Sequence, residues 1–211
     1  MTTIAVVTLD GFNEIDSFVA SYMLGRVNQP GWRVAIACPT PQVTSMNGVT
    51  VQAQMSIDDL ADADAVIIGS GGKTRDYAAD PQFLARLTLD PTRQLIGSQC
   101  SGALLLQRLG LLEGVPVCTD LITKPWVLET GATVVDKPFH AEGNIATAGG
   151  CLSGQYLAAW IIARLAGLAA ARDALFYVAP VGEKDDYVQR ALHNVGPHLP
   201  DNATIAHSTG H

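Results

Sequence analysis

Five short runs, at residues 3–9, 33–37, 65–69, 94–97 and 144–148, alternate along this chain with longer stretches of helical periodicity. The runs are apolar or rich in β-branched residues, and the first and third end in Asp10-Gly11 and Ser70-Gly71-Gly72. They read as strands buried by their neighbours. Strands that are separated by helices cross over and return parallel, so the alternation specifies a doubly wound, mostly parallel α/β sheet.

The intervening pattern predicts a helix over 14–27, with an apolar stripe at Ile15, Phe18, Val19, Tyr22 and Met23. A second helix is expected over 81–89, with Asp80 as N-cap and Pro81 at the first helical position. Further helices fall at 103–109, around Val127, at 153–166 and at 172–178. Residues 43–53, with Asn47-Gly48 at the centre, read as a β-hairpin. Residues 115–118 and 133–135 read as two more strands, and His140 falls in a loop. From Glu183 onward the pattern fades, and 203–211 reads as a mobile tail. The expected organisation is one domain over 1–182 and a C-terminal extension over 183–211.

A chain of 211 residues, 48% hydrophobic and 16% charged, suits one well-packed domain. The net charge is −7 and no Lys/Arg-rich run occurs, so a nucleic acid or an anionic membrane is not the expected partner. The opening residues lack a basic segment, and the apolar stretch at 4–9 is too short for a secretory signal, so a cytoplasmic location is expected. Four cysteines (Cys38, Cys100, Cys118 and Cys151) form no CxxC pair and no metal-type spacing with histidine. They are expected as free thiols, with no metal and no cofactor. Cys38 and Cys118 end apolar runs and read as core residues, whereas Cys151 follows a glycine pair and can border a site.

Cys100 stands apart. The stretch Ser98-Gln99-Cys100-Ser101-Gly102 joins a strand to a helix with small residues around a nucleophile, the thiol counterpart of a nucleophile elbow. Its position at a helix start is expected to favour the thiolate. Ligands of open α/β sheets bind at the carboxyl ends of the strands, and two further turns there carry chemistry. Gly71 and Gly72 can bring backbone N–H groups to a ligand and, with the Ser101 N–H, form an oxyanion hole. Glu14 and Asp16 follow the first strand; either suits a helix start, and either can serve as general acid/base toward the thiol.

Together these turns resemble the ThiJ/PfpI family of the class I glutamine-amidotransferase-like superfamily. The matching landmarks are the acidic stretch ending at Asp16, the Gly71-Gly72 turn, Cys100-Ser101-Gly102-Ala103 and Leu111-Leu112-Glu113-Gly114. Further on come the run 142–150 (Glu-Gly-Asn-Ile-Ala-Thr-Ala-Gly-Gly) and Ser153-Gly154. The resemblance implies a flavodoxin-like three-layer sandwich, a homodimer, and Cys100 as nucleophile beside a carboxyl. Many relatives carry His after the elbow where Val117-Cys118-Thr119-Asp120 places Asp120, so a Cys-His-acid triad and peptidase activity are not expected.

Cys100, Ser101 and Asp16 without a histidine are similar to the isonitrile hydratase branch, in which the acid matches Asp16; Glu14 is the alternative. Where these relatives carry Gly-Pro, Val19-Ala20 stands here, and its bulk is expected to reshape the pocket. The leading expectation is therefore a cofactor-free, cysteine-dependent hydratase or hydrolase of a small electrophile. A glyoxalase- or deglycase-like activity on methylglyoxal and a non-enzymatic cysteine redox sensor are the alternatives. No helix-turn-helix segment follows the sheet pattern, so a transcription-regulator role is not expected.

Overall fold

A computed structural model describes residues 1–200, in which β1 (Thr2–Val7) shows why the fold has two helical layers. Its Ile4 and Val6 enter one hydrophobic cluster and its Ala5 and Val7 another, all fully buried. A strand that is apolar on both parities needs cover on both faces.

After β1 come α1 (Glu14–Leu24), β2 (Trp32–Cys38), β3 (Gln42–Thr44), β4 (Thr50–Gln52) and β5 (Met55–Ser56). Then follow β6 (Ala65–Ile68), α2 (Thr74–Ala79), α3 (Pro81–Leu84), β7 (Leu95–Gln99), α4 (Ala103–Arg108) and α5 (Lys124–Glu129). The chain continues through β8 (Phe139–Glu142), β9 (Ile145–Ala148), α6 (Gly154–Ala166), α7 (Leu168–Val178) and α8 (Lys184–Val195).

The seven-stranded sheet has the order β5-β2-β1-β6-β7-β9-β8, parallel except for β8, which pairs antiparallel with β9. Its five central strands follow the flavodoxin-like order. One face packs against α1, α6, α7 and α8 around the fully buried Trp160; the other packs against α2 to α5, with Leu104, Leu105 and Leu106 buried. Among the described residues no helix is long and apolar enough to cross a membrane.

The hairpin is present as β3 and β4, and Asp80 caps the helix at Pro81 by accepting from the Gln82 N–H at 2.9 Å. That helix ends at Leu84, not residue 89. Three other expectations are corrected. Residues 115–118 and 133–135 form no strands; a single parallel bridge, Val117 to Val134, joins the two segments outside the strand order of the main sheet. His140 lies in β8, whose four residues alternate too briefly to be told from a loop. The stretch after Glu183 contains α8, whose Val188, Ala191 and Val195 pack into the core. The tail expected at 203–211 lies outside the described residues.

On α1 the buried face runs through Asp16, Ala20, Met23 and Leu24, while Ile15 and Tyr22 are exposed. The apolar stripe is thus rotated from the expected one. The inward face is polar at its first turn because that turn borders the site.

Candidate active site

The turns after β1, β6, β7 and β9 meet above the carboxyl edge of the sheet. The first two are stitched by their backbones: the Asn13 N–H donates to Ser70 O at 2.8 Å and the Gly72 N–H to Gly11 O at 2.9 Å. A Cβ on Gly71 would stand 2.6 Å from Phe12 Cα, so only glycine allows this approach.

Cys100 follows β7 directly, at φ +46°, the one non-glycine residue with positive φ among the described residues. Such a backbone costs about 1–3 kcal/mol and persists only where its surroundings enforce it. The enforcement is visible. The Thr119 hydroxyl donates to the Cys100 carbonyl at 2.9 Å. Gly102 passes so close to β6 that a Cβ there would be 2.5 Å from Ile68 O. The fully buried Gln99 amide donates to Gly150 O at 2.8 Å, tying the elbow to the turn after β9.

Asp16 is 1% exposed, and a carboxylate oxygen of Asp16 lies with the sulfurs of Cys100 and Cys151 in a cluster no wider than 4.8 Å. The Ser70 hydroxyl donates to Asp16 Oδ2, while Oδ1 is buried with no hydrogen-bond partner. Asn13 Oδ1 caps α1 by accepting from the Ile15 N–H at 3.1 Å, and its Nδ2 donates to Cys151 Sγ at 3.5 Å. Glu14 turns the other way. It accepts from Ser45 Oγ at 2.5 Å and Asn47 Nδ2 at 2.9 Å, which ties α1 to the hairpin and holds its carboxyl below the ordinary range.

Burial above all, reinforced by the carboxyls of Asp16 and Asp120 and by Cys151, pushes the Cys100 thiol far up. The expected preference for thiolate is thereby reversed, because desolvation and negative neighbours outweigh the dipole of a six-residue helix. Burial and Asp16 raise Cys151 as well. The resting site holds neutral thiols beside a carboxyl group.

The Gly71 N–H points at Ser101 Oγ across 3.4 Å, a long contact that a better acceptor can replace. The Gly72 N–H is already taken by Gly11 O, which leaves it no part in an oxyanion hole. Asp120 accepts from the Ile122 and Thr123 N–H groups, each at 2.9 Å, and so caps the turn leading to α5.

The cluster opens into a cavity of about 540 Å³ with a largely apolar lining. Met46, Leu121 and Ile122 are exposed on its wall, and Trp126 stacks under the Arg75 guanidinium at 4.8 Å. Val19 does not border this cavity; it lines a neighbouring one with Tyr22 and Leu152, contrary to the expected effect of its bulk on the pocket.

Sequence reasoning had no signal for Ser70 as the partner of Asp16, or for Thr119 and Gln99 as supports of the elbow, since each acts through a contact distant along the chain. Asp16, Cys100 and Cys151, which no sequence spacing grouped, converge from α1 and two separate turns.

A flavodoxin-like sandwich carrying a left-handed cysteine at the end of a central strand defines a class of elbow-cysteine α/β proteins. The DJ-1/PfpI family model matches residues 2–164, and the chain belongs to that family. Among solved structures, a ThiJ/PfpI family protein from Pseudomonas syringae matches with TM-score 0.75 and 20% identity, over 92% of this chain and 88% of that one. A cysteine-to-alanine mutant of a DJ-1 superfamily protein from Salmonella typhimurium matches with TM-score 0.70 and 25% identity, over 84% and 98%. Oxidised DJ-1 from Toxoplasma gondii matches with TM-score 0.70 and 21% identity, over 84% and 98%. A search of curated proteins finds no match.

Proposed function

We propose that the chain is a cofactor-free, cysteine-dependent hydratase of small neutral electrophiles, with isonitriles as the leading substrate class. The observation that carries this reading is the pairing of a strained Cys100 with the buried Asp16 carboxyl, a cluster that no histidine among the described residues joins. The apolar cavity wall suits a neutral substrate with a hydrocarbon substituent.

Asp16 takes the Cys100 proton as the sulfur attacks the terminal carbon of R–N≡C, then returns that proton to the carbon. The product is a thioimidate, R–N=CH–S–Cys100. Asp16 next accepts a proton from water, whose oxygen adds to the same carbon while the nitrogen is protonated by the same carboxyl. Collapse of R–NH–CH(OH)–S–Cys100 breaks the C–S bond and releases R–NH–CHO, with the hydroxyl proton passing to the thiolate. The Gly71 N–H and Ser101, whose mutual contact is long, are positioned to steady charge on that oxygen.

The test is conversion of alkyl and aryl isonitriles to N-substituted formamides by the purified chain. Turnover abolished by Cys100→Ala is expected; full turnover by that variant, or none by the wild type, overturns the proposal. Lactate from methylglyoxal without glutathione points instead to the glyoxalase-like alternative.

A further inference from the structure

We infer that Asp16, Cys100 and Cys151 form a binding site for a soft divalent metal ion of the zinc class. The site does not rest on the proposed hydration.

Three observations carry it. The first is the donor set: two sulfurs and a carboxylate oxygen lie within 4.8 Å of one another, delivered by α1, the turn after β7 and the turn after β9. A tetrahedral zinc ion with bonds of about 2.0–2.3 Å spaces its donors about 3.5–3.8 Å apart, so the three groups need shift by about an ångström or less. Two sulfurs select zinc or cadmium over magnesium or calcium, which prefer all-oxygen sites.

The second is Asp16 Oδ1, which is buried and without a hydrogen-bond partner. An acceptor left unpaired in an apolar interior is destabilising. A cation in the cluster would satisfy it in place of the weak thiol donors of Cys100 and Cys151 beside it.

The third is the support around the donors. Ser70 holds Asp16 Oδ2, Asn13 Nδ2 contacts Cys151 Sγ, and the braced elbow fixes Cys100. Metal ligands need this outer layer to stay oriented. The cavity leaves a fourth position open to water or a small anion. The same Cys100 lone pair cannot both hold an ion and attack a carbon, so occupancy silences the nucleophile.

The experiment is titration of the reduced full-length chain with Cd²⁺, followed by ultraviolet thiolate-to-metal absorption and by equilibrium dialysis. One Cd²⁺ per chain is expected, with affinity at least tenfold weaker in Cys151→Ser and in Asp16→Asn and unchanged in Cys38→Ser, whose thiol lies at the end of β2. Histidine does not produce this absorption, so binding elsewhere by imidazoles is distinguished. A second readout needs no variant: bound Zn²⁺ should slow alkylation of Cys100 and Cys151 together, by tenfold or more, and leave Cys38 unaffected. No sulfur absorption in excess Cd²⁺, equal affinity in Cys151→Ser, or protection of only one of the two thiols overturns the site.

Discussion

The Thr119 hydroxyl grips the Cys100 carbonyl at 2.9 Å, so the residue beside Asp120 braces the backbone of the nucleophile. Removing that hydroxyl frees the elbow to relax from φ +46°. Thr119→Val is expected to lower stability by about 1 kcal/mol, the net worth of a hydrogen bond. It should also reduce kcat more than it raises KM. Denaturant unfolding and steady-state kinetics check both.

Asp16 and Glu14 share one helical turn but face different chemistry. Asp16→Asn is expected to lower kcat by about 10²-fold or more, the usual cost of losing a general acid/base. Glu14→Gln should leave turnover within about twofold, since Glu14 contacts only Ser45 and Asn47 of the hairpin. Equal losses in the two variants would remove Asp16 from its proposed role.

Two glycines separate close packing from open space. A methyl group on Gly102 meets Ile68 O at 2.5 Å and Gly69 O at 2.7 Å, whereas one on Gly72 meets nothing within 4 Å. Gly102→Ala should destabilise by about 1–3 kcal/mol or more through overpacking, and Gly72→Ala should unfold at nearly the wild-type denaturant midpoint.

Burial pushes the thiols of Cys38 and Cys118 each up to about 11, from an ordinary value of 9.0, and raises Cys100 too. In the unfolded chain these thiols ionise near 9, while in the folded chain they keep their protons. The folded state therefore binds more protons above pH 9, and stability falls as pH rises from about 9 toward 11. Each thiol adds up to about 1.4 kcal/mol per pH unit to that slope. Cys38→Ala with Cys118→Ala should flatten it, as read from chemical denaturation at several alkaline pH values.

The sheet was legible because its strands are apolar on both parities and sit between helical stripes, as β1 and β6 illustrate. β8 was not, because its Phe-His-Ala-Glu alternation becomes meaningful only beside β9. The placement of Cys100 followed from its small neighbours between strand and helix. Its ionisation did not: a sequence gives the helix start but not the desolvation or the carboxyls brought in from α1 and the turn before α5. Cys151 was visible only as a neighbour of two glycines. Its approach to Asp16 depends on Gln99 and Asn13, whose hydrogen bonds cross from one turn to another.

Asp120 accepts two backbone N–H groups at the start of the turn that carries Leu121 and Ile122. A side chain committed to shaping the chain cannot be exchanged for a proton carrier without loss. A neutral imidazole at position 120 has a single acceptor nitrogen in place of the carboxylate and would hold the two amides and the apolar rim less firmly. A cysteine–histidine pair made by changing residue 120 alone would therefore weaken the turn that holds one wall of the cavity.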